Sequence, residues 1–262
     1  MNLLQTSNLT MRFGGLTAVS GFTLALEPGE LVGLIGPNGA GKTTVFNMLT
    51  GRIRASEGSI LFRSGDGQRQ LVGLKPNQIN RLGIARTFQN IQLLPEMSVM
   101  ENVLMAWHGR LKSPFWAPVL GLPSYRREEE AMVEGSLALL ERVNLLDQAD
   151  NEAGSLAYGQ QRRLEIARAL ATRPTLLLLD EPAAGMNPRE TAALMDLIRE
   201  IRADFGLTIL LIEHDMKFVM GLCERLVVLD HGVTIAAGLP EEIRSNEQVI
   251  TAYLGERKHA AH

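Results

Sequence analysis

Leu31-Val32-Gly33-Leu34-Ile35-Gly36-Pro37-Asn38-Gly39-Ala40-Gly41-Lys42-Thr43-Thr44-Val45-Phe46-Asn47-Met48-Leu49 is the stretch on which the fold turns. An apolar run, a glycine-rich turn and an amphipathic segment follow one another, which reads as strand, loop and helix start. The turn has the spacing of a phosphate cradle: a glycine, four residues, then Gly-Lys-Thr. Its glycines let the backbone curl so that successive N–H groups point inward at phosphate oxygens. The helix beginning near Lys42 adds unpaired amide donors and the positive end of its dipole. The candidate phosphate-binding residues are therefore Gly36, Pro37, Asn38, Gly39, Ala40, Gly41, Lys42, Thr43 and Thr44. Lys42 is suited to reach β- and γ-phosphates, and the Thr43 hydroxyl to ligate Mg²⁺.

Outward from this loop, composition sets the bounds. The chain has 262 residues, enough for one large domain or a domain with a subdomain, and for a sizeable core. Apolar residues make up 45% and charged residues 21%, a globular balance that argues against disorder. A formal net charge of −3 points to no general affinity for nucleic acid, and the basic pairs Arg126-Arg127 and Arg162-Arg163 have acidic neighbours. The single cysteine, Cys223, excludes an intramolecular disulfide, fits a reducing compartment and reads as a small buried residue. No apolar run approaches the roughly 18 residues of a membrane span. The first residues lack a basic segment followed by a long apolar core. The expectation is a cytoplasmic protein whose membrane connection runs through a partner.

In chain order, residues 3–13 and 22–26 read as short strands with Gly14-Gly15 as the turn after the first. Phe13 ends that strand, either as a core residue or as an aromatic face for a purine base. Gly58–Phe62 reads as a strand, the polar stretch Arg63–Gln70 as a loop, and Pro76 as the start of a short helix ending before Gly83. Ile84–Phe88 returns as a strand ending at Gln89. From about residue 90 to 172 helices dominate. Ser98-Val99-Met100-Glu101 is a capping box ahead of a helix to about His108. Residues 110–124 read as a loop rich in proline, with Phe115 and Trp116 exposed; both tryptophans, Trp107 and Trp116, fall in this region. Tyr125–Val143 and Gly159–Ala171 are further helices. Strands then return at Thr175–Asp180, Leu207–Ile212, Leu226–Asp230 and Val233–Ala237, the last two as a hairpin through His231-Gly232. Asn187-Pro188-Arg189-Glu190 caps a helix whose apolar stripe is Leu194, Leu197, Ile198 and Ile201. Short helices from about Glu241 and Glu247 finish the chain. Alternating strands and helices predict an α/β fold with a parallel sheet and a helical insertion.

Phosphoryl chemistry needs metal charge, an oriented water and stabilisation of developing negative charge. Leu176–Asp180 followed by Glu181 puts adjacent carboxylates at the carboxyl end of a buried strand, where open α/β sheets bind ligands. Asp180 would hold Mg²⁺, and Glu181 would accept a proton from an attacking water. His214 and Gln89 also follow strands, so all emerge on one sheet edge, with Gln89 available to metal or water.

Gly36–Thr44, Gln89, Leu156-Ala157-Tyr158-Gly159-Gln160-Gln161-Arg162-Arg163, Leu176–Glu181 and His214 resemble, in order and spacing, the motifs of ABC-type ATPases. There they are the Walker A loop, Q-loop, signature, Walker B strand with catalytic Glu, and H-loop. The resemblance covers nearly the whole chain. It implies a P-loop NTPase core with a mainly parallel sheet, an N-terminal antiparallel β subdomain and an inserted helical subdomain. It divides the chain into a core, residues 1–89 and 173–262, and a helical subdomain, residues 90–172. It further implies ATP and Mg²⁺ as cofactors, Phe13 as the adenine-stacking aromatic, and Leu156, Ala157, Tyr158, Gly159 and Gln160 as a signature serving the ATP of a second ATPase subunit. The signature departs from the usual L-S-G-G-Q at Ala157 and Tyr158, and the loop after Glu181 ends in Asn187 where the family has Asp.

M-R-F-G-G at 11–15, L-A-Y-G-Q-Q-R-R-L-E-I-A-R from Leu156, E-P-A-A-G-x-N from Glu181, I-E-H-D-M-K from Ile212 and A-Y-L-G-E near the end are similar to the LivG-type ATP-binding subunits of bacterial branched-chain amino-acid importers. That likeness implies two membrane permease subunits, an indirect periplasmic or extracellular binding protein, and a place on the cytoplasmic face of the bacterial inner membrane. Related ATPases of urea uptake or lipopolysaccharide export share these motifs. ABC ATPases of DNA repair or ribosomes generally carry a long coiled coil or a second cassette, which this chain lacks.

Overall fold

The computed structural model describes residues 1–65, 67–107, 109 and 123–259, with the side chains of 123, 124 and 254–259 left out. The expected aromatic loop around Trp116 thus lies outside the described residues. The strands are β1 (Leu4–Phe13), β2 (Leu16–Leu26), β3 (Leu31–Ile35), β4 (Glu57–Ser64), β5 (Gly67–Gln70), β6 (Ile84–Arg86), β7 (Leu176–Asp180), β8 (Thr208–Ile212), β9 (Arg225–Asp230) and β10 (Val233–Gly238). The helices are α1 (Lys42–Leu49), α2 (Pro76–Leu82), α3 (Val99–Trp107), α4 (Pro123–Arg142), α5 (Tyr158–Ala171), α6 (Pro188–Phe205), α7 (Met216–Leu222), α8 (Pro240–Arg244) and α9 (Glu247–His259).

Strands β10-β9-β3-β8-β7-β6 form one sheet, parallel except for the β9–β10 hairpin; β2-β1-β4-β5 form a second, antiparallel sheet. In the central strands almost every residue is apolar because both faces of the parallel sheet are covered. Successive residues alternate between two cores, as a period of two requires. Leu177, Leu179, Ile209, Leu211, Leu226 and Val228 pack on the side of α3 to α9. Leu176, Leu178, Leu210, Ile212, Val227 and Leu229 pack on the side of α1 and the antiparallel sheet.

Several elements differ from the sequence reading. β2 begins at Leu16, not near residue 22, because Gly14-Gly15 is a tight hairpin turn that returns the chain directly into the ladder. Residues 67–70, expected in a loop, form β5 by pairing with β4, although every β5 residue is exposed. An edge strand of polar residues carries no apolar alternation to read. β6 ends at Arg86, so Gln89 stands beyond the strand. α7, a short helix capped by Asp215, was not visible as an apolar stripe.

Register positions the functional edge. Leu34, Ile212 and Asp180 are aligned across β3, β8 and β7. The residues that follow them, beginning with Ile35-Gly36, Glu213 and Glu181, therefore leave the sheet at one level, its carboxyl end.

Candidate nucleotide site at the carboxyl edge of the parallel sheet

The phosphate loop joins β3 to α1. Gly36 has φ +146° and Gly41 φ +102°. A Cβ on Gly36 would fall 2.0 Å from the Leu229 carbonyl oxygen, and one on Gly41 2.7 Å from that of Ala18, so both positions require glycine. α1 starts without a side-chain cap, which leaves its first amides for an anion. Lys42 is buried, and its ammonium donates to the Gly36 and Pro37 carbonyls at 2.7 and 2.8 Å. Thr43 is exposed at the helix start. Phe13, at the β1–β2 turn, is half exposed, and residues Ala18 and Val19 of the same hairpin pack on Gly41. The hairpin bearing Phe13 is thus docked on the loop.

Glu181 leaves β7 in the left-handed region, φ +46°, a sparsely populated conformation for a side chain other than glycine or asparagine. Its N–H donates to the Ile212 carbonyl at 2.9 Å, which ties the turn to β8. Its carboxylate accepts from Gln89 Nε2 at 2.8 Å and lies 3.7 Å from His214 Nδ1. Gln89, Glu181 and His214, drawn from three separate strand exits, meet at one carboxylate.

Asp180 is almost wholly buried, and its Oδ2 accepts from Arg86 Nη2 at 2.6 Å. Arg86 also donates to Asn47 Oδ1 at 2.8 Å on α1. Burial pulls the Arg86 pKa down, and the hydrogen bond and charge of Asp180 oppose it.

The start of α5 contacts the Gln89 turn. Arg162 is fully buried; Nη1 donates to the Phe88 carbonyl at 2.6 Å and to Glu165 Oε2 at 2.7 Å, and Nη2 to the Gln89 carbonyl at 2.9 Å. Glu165 in turn accepts from the Phe88 N–H at 2.9 Å. Burial raises the Glu165 pKa against these donors. Arg162 Nη2 reaches the Tyr158 hydroxyl at 3.2 Å, and the Tyr158 ring packs against Gly185. Tyr158, the departure from the usual signature glycine, therefore leans on the loop that follows Glu181. Ala157 offers no acceptor as N-cap; only the reciprocal bond forms, Ala157 N–H to Gln160 Oε1 at 3.1 Å. Gly159 faces Glu190, whose carboxylate caps α6 together with Asn187. Leu156 is buried beneath this turn.

Three residues of this edge have no individual role in the sequence reading, although Arg162 and Glu213 fall within its motifs. Arg86 and Arg162 look like surface cations, since nothing local announces a buried guanidinium. Glu213 is also buried, and its carboxylate accepts from the Ala183 N–H at 2.8 Å and the His214 N–H at 3.1 Å. Burial raises its pKa. Its apolar run ending in Glu-His-Asp was the one available signal. The Cys223 thiol is buried as expected, and burial pushes its pKa up.

Comparison with known proteins identifies the family of the chain. The ABC transporter family model matches residues 19–184, and the model of the branched-chain amino acid ATP-binding cassette transporter matches residues 233–259. The chain is 52% identical to the high-affinity branched-chain amino acid transport ATP-binding protein LivG of Escherichia coli (strain K12), over 97% of this chain and 98% of that one. It is 51% identical, with the same coverage, to the corresponding protein BraF of Pseudomonas aeruginosa. The crystal structure of the ADP conformation of MJ1267, an ATP-binding cassette of an ABC transporter, superposes with TM-score 0.84 at 34% identity, covering 98% of this chain and all of that one. Among the described residues no helix is long and apolar enough to cross a membrane. The chain belongs to the ATP-binding cassette family of ABC transporters, within its branched-chain amino acid branch.

Proposed function

We propose that this chain is the ATP-hydrolysing motor subunit of a membrane importer of branched-chain amino acids (Leu, Ile and Val). The observation that carries hydrolysis is the placement of Glu181, between Gln89 and His214 on the sheet edge that bears the phosphate loop. Gly36–Thr44 cradle the phosphates of ATP, with the Lys42 ammonium turning from the loop carbonyls toward them, and Phe13 stacks on adenine. Glu181 takes a proton from the water that attacks the γ-phosphorus, the bond from that phosphorus to the β-phosphate oxygen breaks to release ADP, and Gln89 and His214 orient the water and the γ-phosphate.

The donor set fits Mg²⁺. Among the described residues no group of three or more His, Cys, Asp or Glu forms a cage for a metal. Mg²⁺ suits such a sparse site, because it takes one or two protein oxygens and completes its octahedron with phosphate and water. Thr43, Asp180 and Gln89 would hold it, and when bound it supplies positive charge to the β- and γ-phosphates.

The uncapped start of α5, with Leu156, Ala157, Tyr158, Gly159 and Gln160, serves the nucleotide of a second ATPase subunit paired head to tail, either a copy or a homologue. Residues 1–89 and 173–262 act as core and 90–172 as helical subdomain, which passes the nucleotide-dependent motion of Gln89 to two permease subunits. A periplasmic or extracellular binding protein delivers the amino acid to those permeases. The chain sits on the cytoplasmic face of the bacterial inner membrane, and the 52% identity to a branched-chain amino acid transport protein supports the cargo.

Co-reconstitution with the permeases in vesicles tests both parts. Glu181→Gln should retain ATP binding and lose about 10²–10⁴-fold in hydrolysis, the usual contribution of a general base. Wild-type turnover in that variant removes Glu181 from the role. ATP-dependent uptake of leucine is the expected transport; uptake of urea in its place overturns the cargo.

A further inference from the structure

The carboxylate read as a metal ligand already has a cation on it. Arg86 closes β6 opposite Leu178, two residues before Asp180 on the neighbouring β7. Its side chain and that of Asp180 are each only 5% exposed, and Nη2 lies 2.6 Å from Oδ2. The other guanidinium nitrogen is anchored at Asn47 Oδ1 on α1 (2.8 Å) and at Thr50 Oγ1 just past its end (3.4 Å). Phe46 and Phe88 flank the guanidinium at 5.4 and 5.1 Å from their ring centres, and Nε has no hydrogen-bond partner. The guanidinium is therefore desolvated on several sides, and Asp180 is the carboxylate in ion-pair contact with it. A buried charge that loses such a partner is strongly destabilised. A divalent ion approaching the same carboxylate meets a fixed positive charge in a medium of low dielectric, where repulsion is far stronger than in water.

We propose that Arg86 is a resident counter-cation of Asp180 that sets the divalent-metal affinity of the nucleotide site. It neutralises the buried carboxylate and straps β7 to α1. With a divalent ion on Asp180, the guanidinium would keep its hydrogen bonds to Asn47 and Thr50. Because Phe88 and Gln89 lie two and three residues after Arg86, the exchange at Asp180 also reaches the Gln89 turn. This rests on Asp180 as a metal ligand, and the experiment separates the two claims.

Mn²⁺ serves as probe, its free concentration followed by electron paramagnetic resonance in titrations of the ADP-saturated protein, with no turnover involved. Arg86→Gln should bind Mn²⁺ at least about ten-fold tighter than wild type, since a unit positive charge within a few ångströms is removed. Arg86→Lys keeps the charge and should stay within about three-fold of wild type. Asp180→Asn should weaken Mn²⁺ binding. If Asp180→Asn weakens binding while Arg86→Gln leaves it unchanged or weaker, Arg86 is only a structural strap and the proposal fails, though the metal reading of Asp180 stands. If Asp180→Asn leaves binding unchanged, that reading falls and the proposal with it. Should Arg86→Gln not fold, Asn47→Ala removes the acceptor on which the guanidinium is anchored and adds no charge; weaker Mn²⁺ binding supports the proposal, and an unchanged or tighter affinity overturns it.

Discussion

The phosphate loop and the Gln89 turn border the same site and are built in opposite ways. The loop closes on itself: Lys42 bonds the carbonyls of Gly36 and Pro37, a few residues upstream, and glycines supply its backbone angles. One bond from further off, Gly232 N–H to the Ala40 carbonyl at 2.9 Å, joins it to the β9–β10 turn. The Gln89 turn is held from far along the chain. Its carbonyls and the Phe88 amide are satisfied by Arg162 and Glu165, while Arg168 donates to the Gln92 carbonyl. The Gln89 turn is thereby tied to α5, so a displacement of that helix would be transmitted to Gln89.

Breaking the distant clamp should have the largest effect. Arg162→Met leaves Glu165 buried without its cation, and the expected loss of stability is about 3–5 kcal/mol. Urea unfolding followed by circular dichroism measures it, and faster amide exchange at Phe88 should accompany it. A cost below about 1 kcal/mol would mean that the turn does not depend on α5.

The local loop should fail differently, in binding and not in folding. Lys42→Ala removes a charged donor to phosphate, worth about 2–5 kcal/mol, or roughly 30- to 5,000-fold in the nucleotide dissociation constant. Calorimetric titration with ATP gives the answer, and an unchanged constant would contradict the phosphate role.

The pH dependence of stability sharpens the contrast further. Glu165 and Glu213 both have pKa values raised by burial, so the folded protein holds their protons to higher pH than the unfolded chain does. This contribution is intact below the unfolded carboxylate range and is lost as pH rises through the raised values, by at most about 1.4 kcal/mol per pH unit for each group. Glu213→Gln removes one such group. Its unfolding midpoint should fall less steeply than that of wild type as pH rises above the unfolded carboxylate range, and parallel curves would refute the assignment.

A purely local device should give the smallest change. Ser98 Oγ accepts from the Glu101 N–H at 3.1 Å and Glu101 Oε2 from the Ser98 N–H at 2.7 Å, the reciprocal box expected at the start of α3. Ser98→Ala should cost about 1 kcal/mol in thermal unfolding, with nucleotide affinity unchanged.

Legibility followed the same division. Elements whose cause lies within a few residues were readable: the phosphate loop, the capping boxes at Ser98 and Asn187, the β9–β10 hairpin through His231-Gly232, and the buried strands β3, β7 and β8. The exposed edge strand β5 was not, because its ladder partner β4 and not its own pattern makes it a strand. Arg86, Arg162 and Glu213 were not either. A charged residue reads as surface until a partner from another element is seen to bury it.

By itself the sequence placed a glycine-rich loop of phosphate-cradle spacing after β3, carboxylates at the end of β7, and a helix-rich stretch between the strands of a parallel sheet. Those follow from short-range chemistry: glycine's freedom at positive φ, helix caps, and apolar runs too long to face water. Only the tertiary structure decided which side chains share the site. It aligned Leu34, Ile212 and Asp180 in register, brought Gln89 and His214 to Glu181, and set Arg86 on Asp180 and Arg162 under the Gln89 turn. The physical reason is that a buried charge must find its partner in space, and the chain distance to that partner has no bearing on the energy gained.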